Sequence, residues 1–412
     1  MSKKEIFCSF CSKSHYQVDH MIEGPIIKNM QIYICNECID ASHNAIHQST
    51  KLSKDVKVNA YTPAEIAEHL TRYVVGQTDA KRAIAVAIYN HYKRINDKIE
   101  GNSDTEIQKA NVLVIGPSGT GKTLIASTVA RVMNLPFAIG DATTLTESGY
   151  VGDDVENLIE RLLQSADGDV AKAERGIIFI DEIDKKSRKG ASSNVKDVSG
   201  EGVQQALLKL VEGTTVKVPW NYDKVEVDTT DILFIIGGAF VGLSEIVKKS
   251  QQGKTSMGFA ADIKDANQDT QLFKMATPDD LTKYGLIPEF VGRFPILVTL
   301  NQLDKRTMIR ILKEPKNSII EQYQRLFQID GVTLTFDDKY IEAIAELGIK
   351  QKTGARGLRS IIEKDLADVQ FDLPDIVKEG YKHVYVQSNG TIKQTKRKVS
   401  TRRKQVKGNK DV

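Results

Sequence analysis

The chain has 412 residues and a formal net charge of +3, with 41% hydrophobic and 27% charged residues. Those fractions are ordinary for a globular protein, and the length predicts two to three domains at roughly 100–200 residues each. A charge this near zero excludes a molecule built as a whole for electrostatic capture of nucleic acid, and no apolar run reaches the ~20 residues that span a bilayer.

The first segment, residues 1–50, holds all four cysteines, as Cys8-x-x-Cys11 and Cys35-x-x-Cys38. The start, Met1-Ser2-Lys3-Lys4-Glu5, lacks the apolar stretch of a secretory leader, so a cytoplasmic location is expected. In a reducing compartment, paired Cys-x-x-Cys knuckles point to metal and not to disulfides. Four thiolates suit tetrahedral Zn²⁺, and a segment this small needs its metal to fold. Such a site leaves no open coordination position, so it is structural and not catalytic. His15, His20, His43 and His47 lie nearby but are expected to be spectators. A DNA-binding ribbon is disfavoured by the acidic neighbours Asp19, Glu23, Glu37 and Asp40.

Residues 51–63 are polar and end at Pro63, which reads as a linker. Residues 64–300 alternate helical patterns with short apolar strands, among them Val112-Leu113-Val114-Ile115, Ile177-Ile178-Phe179-Ile180 and Ile232-Leu233-Phe234-Ile235-Ile236. That alternation predicts an α/β domain with a parallel sheet covered on both faces. From 301 to 388 the period is helical: Met308, Ile309, Ile311, Leu312, Ile319, Ile320, Tyr323 and Leu326, then 341–347, then Leu358, Ile361, Ile362 and Leu366. A small, mainly helical domain is expected there. Residues 389–412 are basic and poor in apolar side chains, with Lys396-Arg397-Lys398 and Arg402-Arg403-Lys404, and are expected to form a disordered tail.

The strongest local signal is Gly116-Pro117-Ser118-Gly119-Thr120-Gly121-Lys122-Thr123, a full G-x-x-x-x-G-K-[ST] match. A strand pattern precedes it, and a helical pattern from Leu124 to Met133 follows. The glycines let backbone N–H groups curl around phosphate oxygens at a helix N-terminus. Lys122 offers an ammonium to the β- and γ-phosphates, and Thr123 a hydroxyl to Mg²⁺. The second signal is the buried-strand pattern 177–180 ending in Asp181-Glu182. Asp181 is expected to hold Mg²⁺, and Glu182 to orient and deprotonate the attacking water. A carboxylate in that role favours ATP over GTP, since switch-type GTPases use Gln. Two arginines, Arg293 in Pro288–Phe294 and Arg356 in Lys352–Arg359, could neutralise charge on a transferring phosphoryl group, or serve as salt-bridge residues.

Together the P-loop, residues 177–184, Val74-Val75-Gly76-Gln77 and Thr353–Arg359 resemble the AAA+ ATPases of the Clp/Hsp100 group. Tyr89-Asn90-His91-Tyr92-Lys93-Arg94 and the stretch from Ser199 to Lys209 narrow the resemblance to the unfoldases of that group that serve a ClpP-type peptidase. It covers nearly the whole chain, from the cysteines to about Gly380. The resemblance implies a homohexamer that uses ATP to unfold tagged or adaptor-delivered proteins and thread them through its pore into the peptidase. It implies nucleotide contacts at residues 116–123, at Leu124, and at Val74 and Val75 beside the adenine. It makes Arg293 the finger that reaches a neighbouring subunit's nucleotide, and Arg356 the sensor-2 arginine linking the small domain to bound phosphates.

Gly149-Tyr150-Val151-Gly152 falls at the pore loop of that group. Its glycines confer flexibility and Tyr150 a broad ring that can press on any polypeptide. Met257-Gly258-Phe259 falls at the loop that docks on the peptidase ring, with Met257 where the group carries isoleucine. The zinc module of the group dimerises and binds adaptors. One departure stands out. Between Lys217 and Val227 the group usually has a glycine-rich basic loop, whereas this chain has Val218-Pro219-Trp220-Asn221-Tyr222-Asp223-Lys224. Trp220 there either stacks on substrate or packs. The alternative reading is a remodelling chaperone that disassembles complexes without proteolysis; a nucleic-acid motor is disfavoured by Tyr150.

Overall fold

The computed structural model describes residues 6–27, 30–42, 61–101, 105, 107–146, 153–187, 198–221, 223–252, 266–351 and 353–396. The backbone separates into two compact units with the boundary between residues 58 and 59.

The first unit is built on an antiparallel hairpin of β1 (Met21–Ile27) and β2 (Met30–Cys35), with a register shift between Glu23 and Ile26. The segment carrying Cys8 and Cys11 closes against β2 through Ser9 N–H donating to the Tyr33 carbonyl at 2.7 Å. Cys8 and Cys35 are buried, while Phe7, Phe10, Tyr16, Ile22, Ile26 and Met30 are exposed. Among the described residues of this unit, Cys8 and Cys35 are the buried apolar side chains, so cohesion falls to the sulfur atoms at the centre.

The second unit is organised by five parallel strands: β3 (Val112–Ile115), β4 (Phe137–Asp141), β7 (Ile177–Asp181), β10 (Leu233–Gly238) and β11 (Ile296–Thr299). The short pair β5 (Leu145–Thr146) and β6 (Asp153–Asp154) and the hairpin β8 (Thr215–Trp220)–β9 (Asp223–Asp228) lie outside that sheet. Spatial order is β11-β3-β10-β7-β4, every pair parallel. Strands β3 and β10 are buried along their whole length, as the uninterrupted Val/Leu/Ile runs require of a sheet covered on both faces. The carboxyl ends of β3, β7 and β10 converge at one edge, the place where open α/β sheets bind ligands.

Beyond β11 the helices Lys305–Lys313, Ile319–Ile329, Asp338–Lys350 and Ala355–Phe371 enclose a second core that includes Leu312, Phe327, Ile344 and Leu358. This part is not helical alone. It carries a sheet of β12 (Thr333–Phe336), β13 (His383–Val386) and β14 (Ile392–Thr395). Strand β14 pairs antiparallel with β13, so ordered structure runs into the 389–412 segment expected to be a tail. An edge strand with Lys393 and Gln394 exposed is rich in polar residues and leaves little apolar alternation to detect. Residues 397–412 lie outside the described residues.

The segment from Lys217 to Val227 forms the β8–β9 hairpin, in register from Thr215 opposite Asp228 to Trp220 opposite Asp223. Trp220 packs: its indole lies so close to Gly168 that a Cβ there would come within 2.5 Å of the ring. Lys217 pairs with Glu226 across the strands at 3.2 Å.

Candidate active site and metal centre

The phosphate-loop residues leave β3 and enter the helix Lys122–Met133. Gly116 N–H donates to the Gly238 carbonyl at 3.1 Å, tying the loop to the end of β10. The loop is also bonded within itself. Thr120 Oγ1 donates to the Pro117 carbonyl at 2.8 Å. The Lys122 ammonium donates to the Gly116 and Pro117 carbonyls at 2.8 and 3.2 Å. Burial pushes the Lys122 pKa down, opposed by Asp181 and Asp184. The loop thus holds a desolvated cation at its mouth, where an anion gains most from it.

Thr123 and Asp181 meet directly, the hydroxyl donating to Asp181 Oδ2 at 2.9 Å. The other oxygen, Oδ1, accepts from Glu182 N–H at 2.9 Å. Glu182 leaves β7 with φ 58° and ψ 31°, a left-handed conformation uncommon outside glycine. Strain of this kind concentrates at functional positions. Arg356, from the second part of the unit, brings Nη2 to 3.7 Å from Asp181 Oδ2. Ser118, Lys122, Asp181, Glu182 and Arg356 all face one cavity of about 480 Å³. Its walls unite the phosphate loop, the end of β7 and the start of the helix Ala355–Phe371.

That helix start touches the loop itself. Ala355 N–H donates to the Gly119 carbonyl at 3.1 Å. Gly354, with φ 60° and ψ −151°, sits so close that a Cβ would lie 2.8 Å from the Ser118 carbonyl oxygen and 2.9 Å from Gly119 Cα. The phosphate loop and the C-terminal part are therefore in backbone contact.

Not every expected residue faces the cavity. Val74 and Val75 are buried but are not among its walls. Their turn is fixed by Lys81, whose ammonium donates to the Val74 carbonyl at 3.0 Å, and by Gln77. The Gln77 amide exchanges two bonds with the backbone of Asn301, at 2.9 and 2.8 Å. Leu124 is partly exposed on the helix after the loop. Arg293 stands elsewhere, at the end of the helix Pro288–Gly292, with Nη2 2.6 Å from Glu212 Oε1 and the side chain about half exposed. Buried Phe290 and Phe294 anchor it from either side. Tyr150, Val151, Met257, Gly258 and Phe259 lie outside the described residues.

Sequence reasoning missed Asp184. It is 4% exposed, faces the same cavity, and accepts from Ala239 N–H at 3.2 Å and Phe240 N–H at 3.3 Å. Its only signal was a second aspartate three residues after Asp181.

In the first unit, the sulfur atoms of Cys8, Cys11, Cys35 and Cys38 all lie within 4.8 Å of one another. Four thiolates from two knuckles, with Cys8 and Cys35 buried, are a donor set for tetrahedral zinc. Neither His15 nor His20 belongs to the group. His43 and His47 lie outside the described residues.

Residues 107–297 match the AAA domain (Cdc48 subfamily), and residues 303–374 match the C-terminal D2-small domain of ClpB protein. Sheet, phosphate loop and paired acids together define an AAA+ ATPase, an enzyme that binds and hydrolyses ATP. Residues 6–48 match the ClpX C4-type zinc finger, which assigns Zn²⁺ to the four cysteines. The chain is 51% identical over 384 residues to the ATP-dependent Clp protease ATP-binding subunit ClpX of Treponema denticola, covering 90% of this chain and 91% of the relative. The chain belongs to the ClpX family. Among the described residues, no helix is long and apolar enough to cross a membrane.

Proposed function

We propose that this ATPase is a protein unfoldase, working as a hexamer that threads substrates through a central pore into a ClpP-type peptidase. The observation that carries the reading is the unequal placement of the two arginines. Arg356 faces the chain's own cavity, while Arg293 is displayed on the surface, away from it. An arginine that must reach a phosphoryl group cannot serve its own site from there. It can serve a neighbour's, which a ring of identical chains supplies at every site. The relative from Treponema denticola is named as the ATP-binding subunit of a protease, which supports delivery to a separate peptidase.

At the site, Lys122 and the loop amides hold phosphate oxygens, and Arg356 reports their presence to the C-terminal part. Thr123 and Asp181, already 2.9 Å apart, would hold Mg²⁺. The ion would neutralise charge between the β- and γ-phosphates. Glu182 orients water and takes its proton, and Arg293 of a neighbouring subunit stabilises the transferring group. Val74 and Val75 border the adenine. Tyr150 and Val151 grip the polypeptide, and Met257-Gly258-Phe259 dock on the peptidase. The zinc module dimerises and receives adaptors. The surroundings proposed are those of the cytoplasm.

Folded substrates are stable by about 5–15 kcal/mol, and forced unfolding must also cross their unfolding barrier. Repeated hydrolysis on a ring meets both demands. Assembly is the first test. Sedimentation with a slowly hydrolysed ATP analogue should give a six-chain species, and Arg293→Ala should lose turnover while still binding ADP. A monomer with full turnover at every concentration would refute the reading.

A further inference from the structure

We propose that Asp184 is a positioning residue for hydrolysis, one that locks Glu182 in its working conformation by clamping the turn after β7 to the loop after β10. The proposal rests on Glu182 as the residue that activates water.

The case begins with the backbone. Glu182 is left-handed, and nothing in its side chain favours that state as a glycine would. The turn around it must therefore be over-determined by its neighbours. Asp181, one residue before, is held by the sheet, paired with Asp141 of β4, while Ile180 before it is paired with Ile236 of β10. After Glu182 comes the short 3-10 turn Ile183–Lys186. Ile183 is fully buried in the core under the sheet. Asp184 supplies the directional part of the anchor. Its two carboxylate oxygens accept separately from the amides of Ala239 and Phe240. The fit is close: a Cβ on Gly238 would lie 2.7 Å from Asp184 Oδ1.

The two segments so joined both face the nucleotide cavity. Glu182 is one wall, and Val241, exposed just past the clamped amides, is another. Asp184 therefore sets how Glu182 is aimed relative to the end of β10, the strand between β3 and β7. Phosphate binding does not need this bond: the loop's tie to β10, from Gly116 N–H to the Gly238 carbonyl, is held by the sheet pairing of Gly238 with Ile115, and Lys122 is fixed by the Gly116 and Pro117 carbonyls. The clamp should thus matter for turnover and not for affinity.

The test uses the full chain. Asp184→Asn keeps the shape but turns an NH₂ toward one of the two amide donors, so one bond is lost. Its kcat for ATP should fall at least about ten-fold, which is about 1.4 kcal/mol in the barrier. Its KM and its Kd for a fluorescent ADP analogue should stay within about three-fold of the parent. Asp184→Ser, which retains one short acceptor, is made in parallel and should show the same split if the amide upsets the fold. Combined with Glu182→Gln, Asp184→Asn should add almost nothing, because both act on one step. A parental kcat in both variants would overturn the proposal. So would a loss of ADP binding that matches the loss of turnover, or a multiplicative effect in the double variant. Parental turnover in Glu182→Gln alone would instead remove the hydrolytic assignment on which the clamp depends.

Discussion

Replacing Gly354 by alanine should weaken nucleotide binding from outside the phosphate loop. Gly354 has φ 60° and ψ −151°, a region open almost only to glycine. Alanine there costs on the order of 1–3 kcal/mol in backbone strain. The new Cβ would also meet the Ser118 carbonyl oxygen at 2.8 Å and Gly119 Cα at 2.9 Å, both backbone atoms that cannot swing aside. The strands of chain must part, and the bond from Ala355 N–H to the Gly119 carbonyl weakens, at about 1 kcal/mol. The sum is about 2–4 kcal/mol against the arrangement that joins loop, helix start and Arg356, or roughly 30-fold to several hundred-fold in equilibrium terms. Titration with a fluorescent ADP analogue reads the change, with thermal unfolding alongside. Gly380→Ala is the control, since Gly380 has φ +82° but nothing within 4 Å of its Cβ position. That variant bears backbone strain without the clash. It should bind nucleotide as the parent does. If Gly354→Ala did so too, the backbone contact between the two parts would not govern the site.

Chelation, or Cys35→Ser, should release the zinc and unfold the first unit, while basal ATP turnover by the second changes less than about two-fold; zinc release is read colorimetrically and the unit's fold by protease resistance. Trp220→Ala should destabilise the second unit by about 1–3 kcal/mol, below the ~3–5 of a fully buried tryptophan, as measured by urea unfolding. Lys109 provides a pH signature. Burial, with Arg94 nearby, pushes its pKa from 10.5 down to about 7. Between those values the unfolded chain binds the proton more tightly, so stability from this group rises as pH climbs from about 7 toward 10. The melting-temperature difference between the parent and Lys109→Met should therefore shift in favour of the parent from pH 7 to pH 9.

Much of the candidate nucleotide site is legible in the sequence because its signals are local. The phosphate loop is eight contiguous residues between a strand and a helix, and Asp181-Glu182 end an apolar run, so both could be placed without knowing the sheet order. The four thiols were legible for the same reason, as two knuckles. What sequence could not supply was contact between distant segments. Asp184 acts through amides 55 and 56 residues away, and Gln77 through a residue 224 positions on. The chemistry of Arg293 alone allows a phosphoryl-neutralising group or a salt-bridge residue, and the family resemblance implies the finger; within one chain it makes the ion pair with Glu212, and its proposed role needs a second chain. The sequence allows Trp220 either to stack on substrate or to pack, and its contact with the main core and its approach to Gly168 place it. Strand β14 was hidden by its own solubility, since an edge strand with Lys393 and Gln394 reads like the basic segment beyond it.

The central claim is tested most directly by following a stable fluorescent protein carrying a C-terminal degradation tag, mixed with this chain and ATP, with and without a ClpP-type peptidase. The account predicts fluorescence loss that requires ATP, the peptidase and an intact Glu182, and that stops with Glu182→Gln. Persistent fluorescence of several differently tagged substrates, in the presence of rapid ATP turnover and bound peptidase, would contradict it and favour a remodeller that acts without proteolysis.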